Sequence, residues 1–144
     1  MNEPPNMTKA DATQVGADWV FSRERASAVI REYYSRIDAS DTDWVIALFE
    51  QDAIYERADA SYEGIPAIAR FFRDERKIRG VHSIDTLIVD EEQSVVVALG
   101  RFSGVGQAGD ARTVGFADIW HLSSTGRVTL RRTYLAIGHE YVRD

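Results

Sequence analysis

The last third of the chain contains the stretch Arg112-Thr113-Val114-Gly115-Phe116-Ala117-Asp118-Ile119-Trp120-His121. β-Branched, aromatic and small residues dominate it, and this composition predicts an extended strand. Side chains alternate between the two faces of a strand, so Asp118 shares its face with Val114, Phe116 and Trp120. An ionised carboxyl group among large apolar side chains is costly unless it is paired. Asp118 is therefore either a proton donor or acceptor for a ligand, or one half of a buried structural pair.

Size and composition limit the class of protein. The chain has 144 residues, of which 44% are apolar and 28% charged, and these values are typical of one soluble globular domain. The net charge is −6, and no basic stripe interrupts the mixture of acids and bases, so we expect no nucleic-acid partner. No apolar leader opens the chain and no apolar run is long enough to span a bilayer. We therefore expect no membrane partner and, by default, a cytoplasmic location.

The inventory of reactive residues excludes several kinds of chemistry. The chain has no cysteine, which excludes disulfides, thiolate metal sites and a cysteine nucleophile. Its three histidines lie far apart, without HxH or HxxxH spacing, so we expect no metal site. A glycine-rich phosphate loop and a GxSxG motif are both absent from the sequence, so nucleotide binding and serine-hydrolase chemistry lack support. We expect no cofactor.

The pattern along the chain predicts a mobile tail, residues 1–18, and one domain, residues 19–144. Ser22 and Asp41 are expected to cap two helices, and the apolar residues of the second helix are Trp44, Val45, Leu48 and Phe49. A turn at residues 62–66 leads into a third helix, predicted from Ala67 to about Lys77. The charged residues 70–77 of this third helix are expected to form a solvated face. The predicted strands cover residues 53–57, 81–89, 94–105, 112–121 and 127–137. Three helices, one short strand and four long antiparallel strands indicate an α+β domain with a curved sheet around the helices.

Three segments carry, in this order, a resemblance to a known superfamily. They are Tyr33-Tyr34-Ser35-Arg36-Ile37-Asp38-Ala39-Ser40-Asp41, Leu48-Phe49-Glu50-Gln51-Asp52-Ala53-Ile54-Tyr55-Glu56 and Gly64-Ile65-Pro66-Ala67-Ile68-Ala69-Arg70-Phe71-Phe72. With them, the chain resembles the NTF2-like superfamily over residues 25–138, and within it the ketosteroid isomerase and SnoaL-type polyketide cyclase branch. The resemblance implies an NTF2-like cone, in which a curved antiparallel mixed sheet wraps around three N-terminal helices and encloses one pocket. It also implies a homodimer formed through the outer face of the sheet.

The resemblance also implies roles for individual residues. The isomerases hold a developing enolate with a tyrosine of the first helix and a protonated aspartic acid of a late strand, and these positions fall on Tyr33 and Asp118. We therefore expect the two side chains to lie within a few ångströms of each other, directly or through one water. The general base of the isomerases falls on Arg57, which cannot be deprotonated in a protein. Phe72 lies at the position where the isomerases have a second tyrosine, which supports their hydrogen-bond network. Steroid isomerisation by the isomerase mechanism is therefore not expected.

Each candidate residue has an alternative interpretation. Tyr33 lies on the buried face of the first helix, where a core tyrosine with a satisfied hydroxyl is common. Arg57 is either a solvated arginine at the rim or a cation facing Asp118 across the pocket, which would favour the carboxylate form. His82 is a candidate proton shuttle because histidine titrates near neutral pH, but a histidine at the end of a strand is often structural.

The last strand has two candidate inner faces. The resemblance turns Arg131 and Thr133 toward the pocket. Hydrophobic periodicity favours the opposite face, which carries Val128, Leu130 and Tyr134. The sequence leaves this choice open.

These expectations combine into one functional hypothesis, a cofactor-independent acid–base enzyme. It would cyclise, isomerise or dehydrate a small, mostly apolar secondary-metabolite intermediate such as a polyketide. Asp118 would transfer the proton and Tyr33 would bind the oxyanion. Arg57 or His82 would tune the acidity of Asp118 or relay the proton. The residues expected to bind the substrate are Ile37, Phe49, Tyr55, Phe71, Phe72, Phe116, Trp120 and Arg131. The alternatives are an epoxide hydrolase or epoxide-opening cyclase of the limonene-epoxide-hydrolase-like type, and a ligand-binding or assembly protein without catalysis.

Overall fold

A computed structural model describes residues 15–58, 60–76, 79–105 and 108–136. The helices are α1 (Arg23–Asp38), α2 (Thr42–Ala47) and α3 (Gly64–Arg70), and a π-helical turn, Phe71–Glu75, extends α3. The strands are β1 (Phe49–Arg57), β2 (Ala60–Glu63), β3 (Arg79–Asp90), β4 (Val95–Val105), β5 (Ala111–Leu122) and β6 (Val128–Leu135). Most of the predicted tail, residues 1–14, and the predicted strand end at residue 137 lie outside the described residues.

The strands form one curved sheet in the order β2-β1-β6-β5-β4-β3. Strands β1 and β6 run parallel, and all other neighbours in the sheet are antiparallel. Helix α1 packs on the concave face, mainly against β3. The predicted α+β cone is thereby confirmed. Within the described residues, the helices are too short or too polar to cross a bilayer.

Helix α1 follows directly from its sequence. The Ser22 hydroxyl accepts a hydrogen bond from the Arg25 backbone N–H at 3.1 Å and so caps the first turn. Apolar residues recur at helical spacing, and this face is buried against the sheet. It consists of Ala26, Val29, Ile30, Tyr33, Tyr34 and Ile37. The cap and the apolar face of this helix are confirmed.

The chain between α1 and β3 differs from the prediction. The predicted second helix included Leu48 and Phe49, but α2 ends at Ala47 with Leu48 as its C-cap, because the sheet begins at Phe49. The Leu48 carbonyl accepts a hydrogen bond from the Val128 N–H at 2.9 Å, and Phe49 pairs with Val128. This parallel pairing with a distant strand leaves no local signal in the sequence. Strand β2, which was not predicted, pairs with β1 and includes Tyr62 and Glu63, the first two residues of the predicted turn.

The third helix ends earlier than its charge pattern indicates. Regular α-helix stops at Arg70, and the N–H of Arg76 donates a hydrogen bond to the Phe71 carbonyl at 2.9 Å, five residues back. Such π-helical turns are rare and are frequent at functional sites. This one buries both Phe71 and Phe72 and turns the following residue toward the interior.

Strand β6 presents the inner face that the resemblance implied. Arg131 is 4% exposed and Thr133 is 8% exposed, whereas Tyr134 on the opposite face is 55% exposed. Thr133 lies opposite Asp118 on β5, and Arg131 lies opposite Trp120, so the pairs share the concave face. From Leu130 to Tyr134, the face favoured by hydrophobic periodicity is therefore the outer one, whereas Val128, beyond a register shift in the β5–β6 pairing, is fully buried.

The described chain makes contacts before α1 begins. The Gly16 N–H donates a hydrogen bond to the Thr125 carbonyl at 2.9 Å, in the turn between β5 and β6. Trp19 is 4% exposed and lies against Gly126 of the same turn. Packing of the described residues therefore starts at residue 15, within the segment 15–18 that the sequence pattern assigns to the tail.

The close approach of β3 and β4 requires glycine at position 100. A Cβ atom there would lie 2.2 Å from the Ser83 carbonyl oxygen and 3.0 Å from the Phe116 ring. We predict that Gly100→Ala lowers the free energy of unfolding by about 1–3 kcal/mol, the usual cost of overpacking. Gly115→Ala is the matched control on the adjacent strand, since its Cβ would meet Ala136 at 3.3 Å. Urea titration of both variants tests this, and equal losses would contradict it.

Candidate active site

A cavity of about 270 Å³ opens between the concave face of the sheet and the π-helical turn. Its apolar wall consists of Phe71, Phe102, Val114, Phe116 and Leu135. Its polar wall consists of Arg57, Glu75, Arg76, His82, Asp118, Arg131 and Thr133. Among the described residues, no group of three side chains is arranged to hold a metal ion. The cavity suits a small ligand with an apolar body and polar substituents.

Asp118 lies in the polar wall, with only 1% of its surface exposed. Its carboxylate accepts three hydrogen bonds from side chains. Tyr34 Oη donates to Oδ2 at 2.5 Å, Arg131 Nη2 donates to Oδ2 at 2.9 Å, and Thr133 Oγ1 donates to Oδ1 at 2.5 Å. The predicted burial of Asp118 is confirmed, and the carboxylate has a full set of partners at the edge of a cavity.

The tyrosine hydrogen-bonded to Asp118 is Tyr34. Tyr33, expected near Asp118 directly or through one water, is joined to it through the guanidinium of Arg131. The Tyr33 hydroxyl accepts a hydrogen bond from Arg131 Nη1 at 2.5 Å, and the cavity lining does not include Tyr33. Both tyrosines lie on the buried face of α1, so helical spacing alone does not tell which one reaches β5. Trp120 Nε1 donates to the Tyr34 hydroxyl at 3.1 Å and fixes its position. Burial raises the pKa of each tyrosine above its ordinary value, so both hydroxyls keep their protons.

Arg131 is the counter-ion of Asp118 and is almost fully buried. Its guanidinium carbon lies 4.4 Å from the centre of the Trp120 ring, 4.6 Å from that of Tyr55 and 4.7 Å from that of Tyr33. Burial lowers the pKa of Arg131, but the Asp118 carboxylate and the tyrosine hydroxyls raise it to a net value well above the ordinary one. Arg131 therefore carries a permanent positive charge inside an aromatic cage.

Arg57 reaches Asp118 only through two hydroxyl groups. Its Nη1 donates a hydrogen bond to the Tyr55 hydroxyl, which lies 3.1 Å from Thr133 Oγ1. Since Arg57 can only donate and Asp118 accepts from Thr133, the proton of Tyr55 points to Thr133. The direct pairing of Arg57 with Asp118 considered from the sequence is therefore absent, and Arg131 takes that place. Arg57 instead lies over the Phe71 ring, 4.8 Å from its centre.

His82 forms a second polar unit, with a partner that the sequence analysis missed. Asp38 Oδ1 lies 2.6 Å from His82 Nδ1, and Asp38 Oδ2 accepts the His82 backbone N–H at 2.9 Å. Burial lowers the pKa of His82 below its ordinary value of about 6.5, although Asp38 opposes this shift. The neutral ring therefore donates from Nδ1 to Asp38 and keeps a lone pair on Nε2. Nε2 has no hydrogen-bond partner among the residues that the structure describes.

A weak signal for Asp38 exists in the sequence. It is the last residue of α1, where the helix dipole disfavours a negative charge. An acid at that position is therefore more costly than a base, unless another part of the fold supplies a partner. The partner, His82, comes from β3, more than forty residues later along the chain. Helix-end electrostatics could have marked Asp38 as unusual, but could not have identified His82.

Only some of the predicted catalytic and substrate-binding residues line the cavity. Asp118, Arg57, His82, Phe71, Phe116 and Arg131 line it. The other predicted residues belong to the buried core and do not line the cavity. These are Tyr33, Ile37, Phe49, Tyr55, Phe72 and Trp120. The structure adds Arg76, which was expected on a solvated helix face and is half-buried because the π-helical turn redirects the chain.

Replacing Asp118 tests whether it is the counter-ion of Arg131. We predict that Asp118→Asn lowers the free energy of unfolding by about 3–5 kcal/mol, because it leaves a buried guanidinium without its carboxylate. Asp85→Asn, an exposed acid on β3, is the control and should change stability by less than about 0.5 kcal/mol. Chemical denaturation measures both. A change in Asp118→Asn no larger than in the control would show that the pair does not stabilise the fold.

Comparison with known proteins places this geometry in a family. The profile of the SnoaL-like domain matches residues 30–131, which is more than half of the chain. No curated protein matches the sequence. Similar solved structures include SalBIII, described as an epoxide hydrolase/cyclase-like enzyme in pyran ring formation in the polyether salinomycin. It is 14% identical, covers 81% of this chain and 94% of its own, and has a TM-score of 0.73.

Two further structures share the fold. A protein from Xanthomonas campestris pv. campestris, assigned as a polyketide cyclase, is 19% identical, with coverage of 83% and 95% and a TM-score of 0.71. An LEH-like epoxide hydrolase from M. tuberculosis is 18% identical, with coverage of 77% and 82% and a TM-score of 0.67. At these identities the structures establish the NTF2-like fold alone. With the profile match across most of the domain, the chain belongs to the SnoaL-like family.

Proposed function

We propose that the protein is a cofactor-independent acid–base enzyme that acts on a small, mostly apolar molecule. The observation that carries this proposal is the neutral His82 ring, held by Asp38 at Nδ1 and lining a cavity beside a buried ion pair. Cyclisation, isomerisation and dehydration all need a proton to be moved at a carbon atom or an oxygen atom. The substrate would be a secondary-metabolite intermediate such as a polyketide, in keeping with the cyclase-like neighbours in this fold.

His82 is the proton-transfer group in this proposal. Among the described side chains that line the cavity, it is the one whose ordinary pKa lies near neutral pH. Its lowered pKa keeps Nε2 unprotonated and able to accept a proton, and Asp38 then stabilises the imidazolium that forms. Asp38 thus orients the base, as a carboxylate does for a catalytic histidine in general.

Asp118 and Arg131 would supply a fixed electrostatic frame for the reaction. Protonation of Asp118 would remove the counter-ion of Arg131 and disturb three hydrogen bonds, so direct proton transfer by Asp118 is energetically unfavourable. In this proposal Arg131, and not Tyr33, would stabilise the oxyanion. Arg131 lines the cavity, whereas Tyr33 does not line it and accepts a hydrogen bond from Arg131. Proton transfer by Asp118 stays a prediction, which the pH experiment below separates from the role of His82.

Epoxide opening is the second candidate reaction, favoured by the epoxide hydrolase-like neighbours. That chemistry, as the resemblance presents it, uses aspartates and an arginine around a water molecule. Arg131 binds one carboxylate, that of Asp118, but its other amino group binds the hydroxyl of Tyr33. The exposed Glu75 is the other acid in the described cavity wall. The acid–base enzyme with His82 is therefore the better supported reaction class.

Three further expectations remain predictions. The homodimer would use the outer face of the sheet, where Ile88, Leu99 and Tyr134 are exposed. The cytoplasmic location rests on the sequence alone. The non-catalytic alternative gains support from the paired Asp118, but the cavity beside it leaves space for a ligand.

Removing the His82 ring tests the proposal directly. A suitable probe is 5-nitrobenzisoxazole, a small flat molecule that opens to a coloured phenolate when a base removes its carbon-bound proton. We predict that His82→Gln lowers kcat/KM for this probe by about 10²-fold or more, as expected for loss of a general base. His121→Gln, at a histidine outside the cavity lining, is the matched control and should keep the wild-type rate. Equal rates in wild type and His82→Gln would exclude His82 as the base.

The pH dependence of kcat/KM distinguishes whether proton transfer depends on Asp38, the partner of His82, or on Asp118. The base is active when neutral, so kcat/KM should rise with pH through the pKa of His82, which lies below about 6.5. Since the Asp38 carboxylate raises this pKa, we predict that Asp38→Asn moves the acidic limb to lower pH and lowers the plateau. A limb that is unchanged in Asp38→Asn but lost in Asp118→Asn would assign proton transfer to Asp118. The measurement is kcat/KM against pH for the three proteins.

A further inference from the structure

Arg76 is a cationic side chain that the proposed acid–base chemistry does not use. It follows the π-helical turn, is half-buried and lines the cavity. Its guanidinium makes no hydrogen bond or ion pair with any residue of the described ranges. Burial lowers the pKa of Arg76, and the guanidinium groups of Arg79 and Arg131 act in the same direction, whereas Tyr33 and Asp38 oppose this shift. A partly buried cation without a partner is unfavourable unless something else supplies a negative charge.

Arg57 is a second arginine of the same cavity whose charge is not neutralised. It donates a hydrogen bond to the neutral Tyr55 hydroxyl and lies over the Phe71 ring. No carboxylate lies within ion-pair distance of its guanidinium in the part of the chain that the structure describes. Stacking on aromatic rings holds the guanidinium in place and leaves other N–H groups available to a ligand.

The acids near these arginines are occupied elsewhere or lie in solvent. Asp118 is the counter-ion of Arg131, and Asp38 binds the ring and the backbone of His82. Glu75 is exposed, and its carboxylate accepts a 3.4 Å hydrogen bond from the Tyr62 hydroxyl. Three guanidinium groups and two carboxylates thus line the described wall, although the whole chain has a net charge of −6. The cavity is locally more cationic than the protein around it.

We propose that the cavity binds its ligand through a carboxylate group, which Arg76 holds and Arg57 also contacts. A guanidinium fork matches the two oxygens of a carboxylate, and such charge-assisted bonds are strong where water is excluded. The apolar wall of Phe102, Phe116 and Leu135 contacts the body of the ligand. This inference rests on the proposed function and specifies its substrate class, a small, mostly apolar organic acid.

Matched probes test the anion preference without any catalysis. Benzoate and benzamide have the same planar shape and differ in charge, and phenyl phosphate carries a different anion on the same ring. Calorimetric titration of the wild-type protein at fixed ionic strength should show benzoate binding about 10- to 100-fold more tightly than benzamide. Equal affinities would overturn the proposal. Tighter binding of phenyl phosphate than of benzoate would overturn the assignment of the anion as a carboxylate.

Arginine variants locate the preference in the cavity. In Arg76→Gln, we expect the advantage of benzoate over benzamide to fall to within about 3-fold, while the affinity for benzamide stays at the wild-type value. Arg101→Gln, at an exposed arginine on the outer face of β4, is the matched control and should retain the full preference. Retention of the preference in Arg76→Gln would also overturn the proposal.

Unfolding measurements distinguish a ligand contact at Arg76 from a structural role. If Arg76 serves a ligand, Arg76→Gln should unfold at the same or a higher urea concentration, because it removes a half-buried cation that has no partner. A clear loss of stability would instead assign Arg76 to the fold and overturn its role as a ligand contact. His82→Gln should keep the preference for benzoate, so failure of the proton-transfer role and failure of anion binding are distinguishable.

Discussion

The buried pair of Asp118 and Arg131 is the interaction around which the rest of the interior is arranged. Two opposite charges with 1% and 4% exposure are tolerated only where nearly every polar atom has a partner. Neighbouring elements supply these partners, Tyr33 and Tyr34 from α1 and Thr133 from β6. The pair thereby ties the first helix to the last two strands and specifies how they meet.

The same pair sets the direction of the hydrogen bonds around it. Arginine only donates, so the hydroxyls that Arg57 and Arg131 contact must turn their protons away from the guanidinium groups. Along one arm, protons point from Tyr55 to Thr133 and from Thr133 to the carboxylate of Asp118. A network ordered in this way resists change in its protonation. The proposed function therefore assigns proton transfer to a separate group, the His82 ring, which lies beside Asp38.

Several features of this interior were accessible from residue pattern, and others were not. The burial of Asp118 followed from strand alternation, and the buried face of α1 followed from helical spacing. The choice between Tyr33 and Tyr34 did not follow, because both lie on that face. Hydrophobic periodicity also misjudged β6, since the buried Arg131 is polar while the exposed Tyr134 is aromatic. Because the carboxylate of Asp118 lies on the neighbouring strand, the charged Arg131 faces inward on β6 and the aromatic Tyr134 faces outward, the reverse of the usual hydrophobic pattern.

The sequence by itself determined most elements of the α+β cone, the family resemblance, and the placement of Asp118 on an apolar strand face. These depend on contacts that are local along the chain, such as helix caps and the alternation of side chains. Only the tertiary structure decided which groups meet, namely Tyr34 and Arg131 at Asp118, and Asp38 at His82. These partners come from elements far apart in sequence, and the pairing of β5 with β6 and the packing of α1 against the sheet bring them together. Their proximity is a property of the packed chain, which no local pattern encodes.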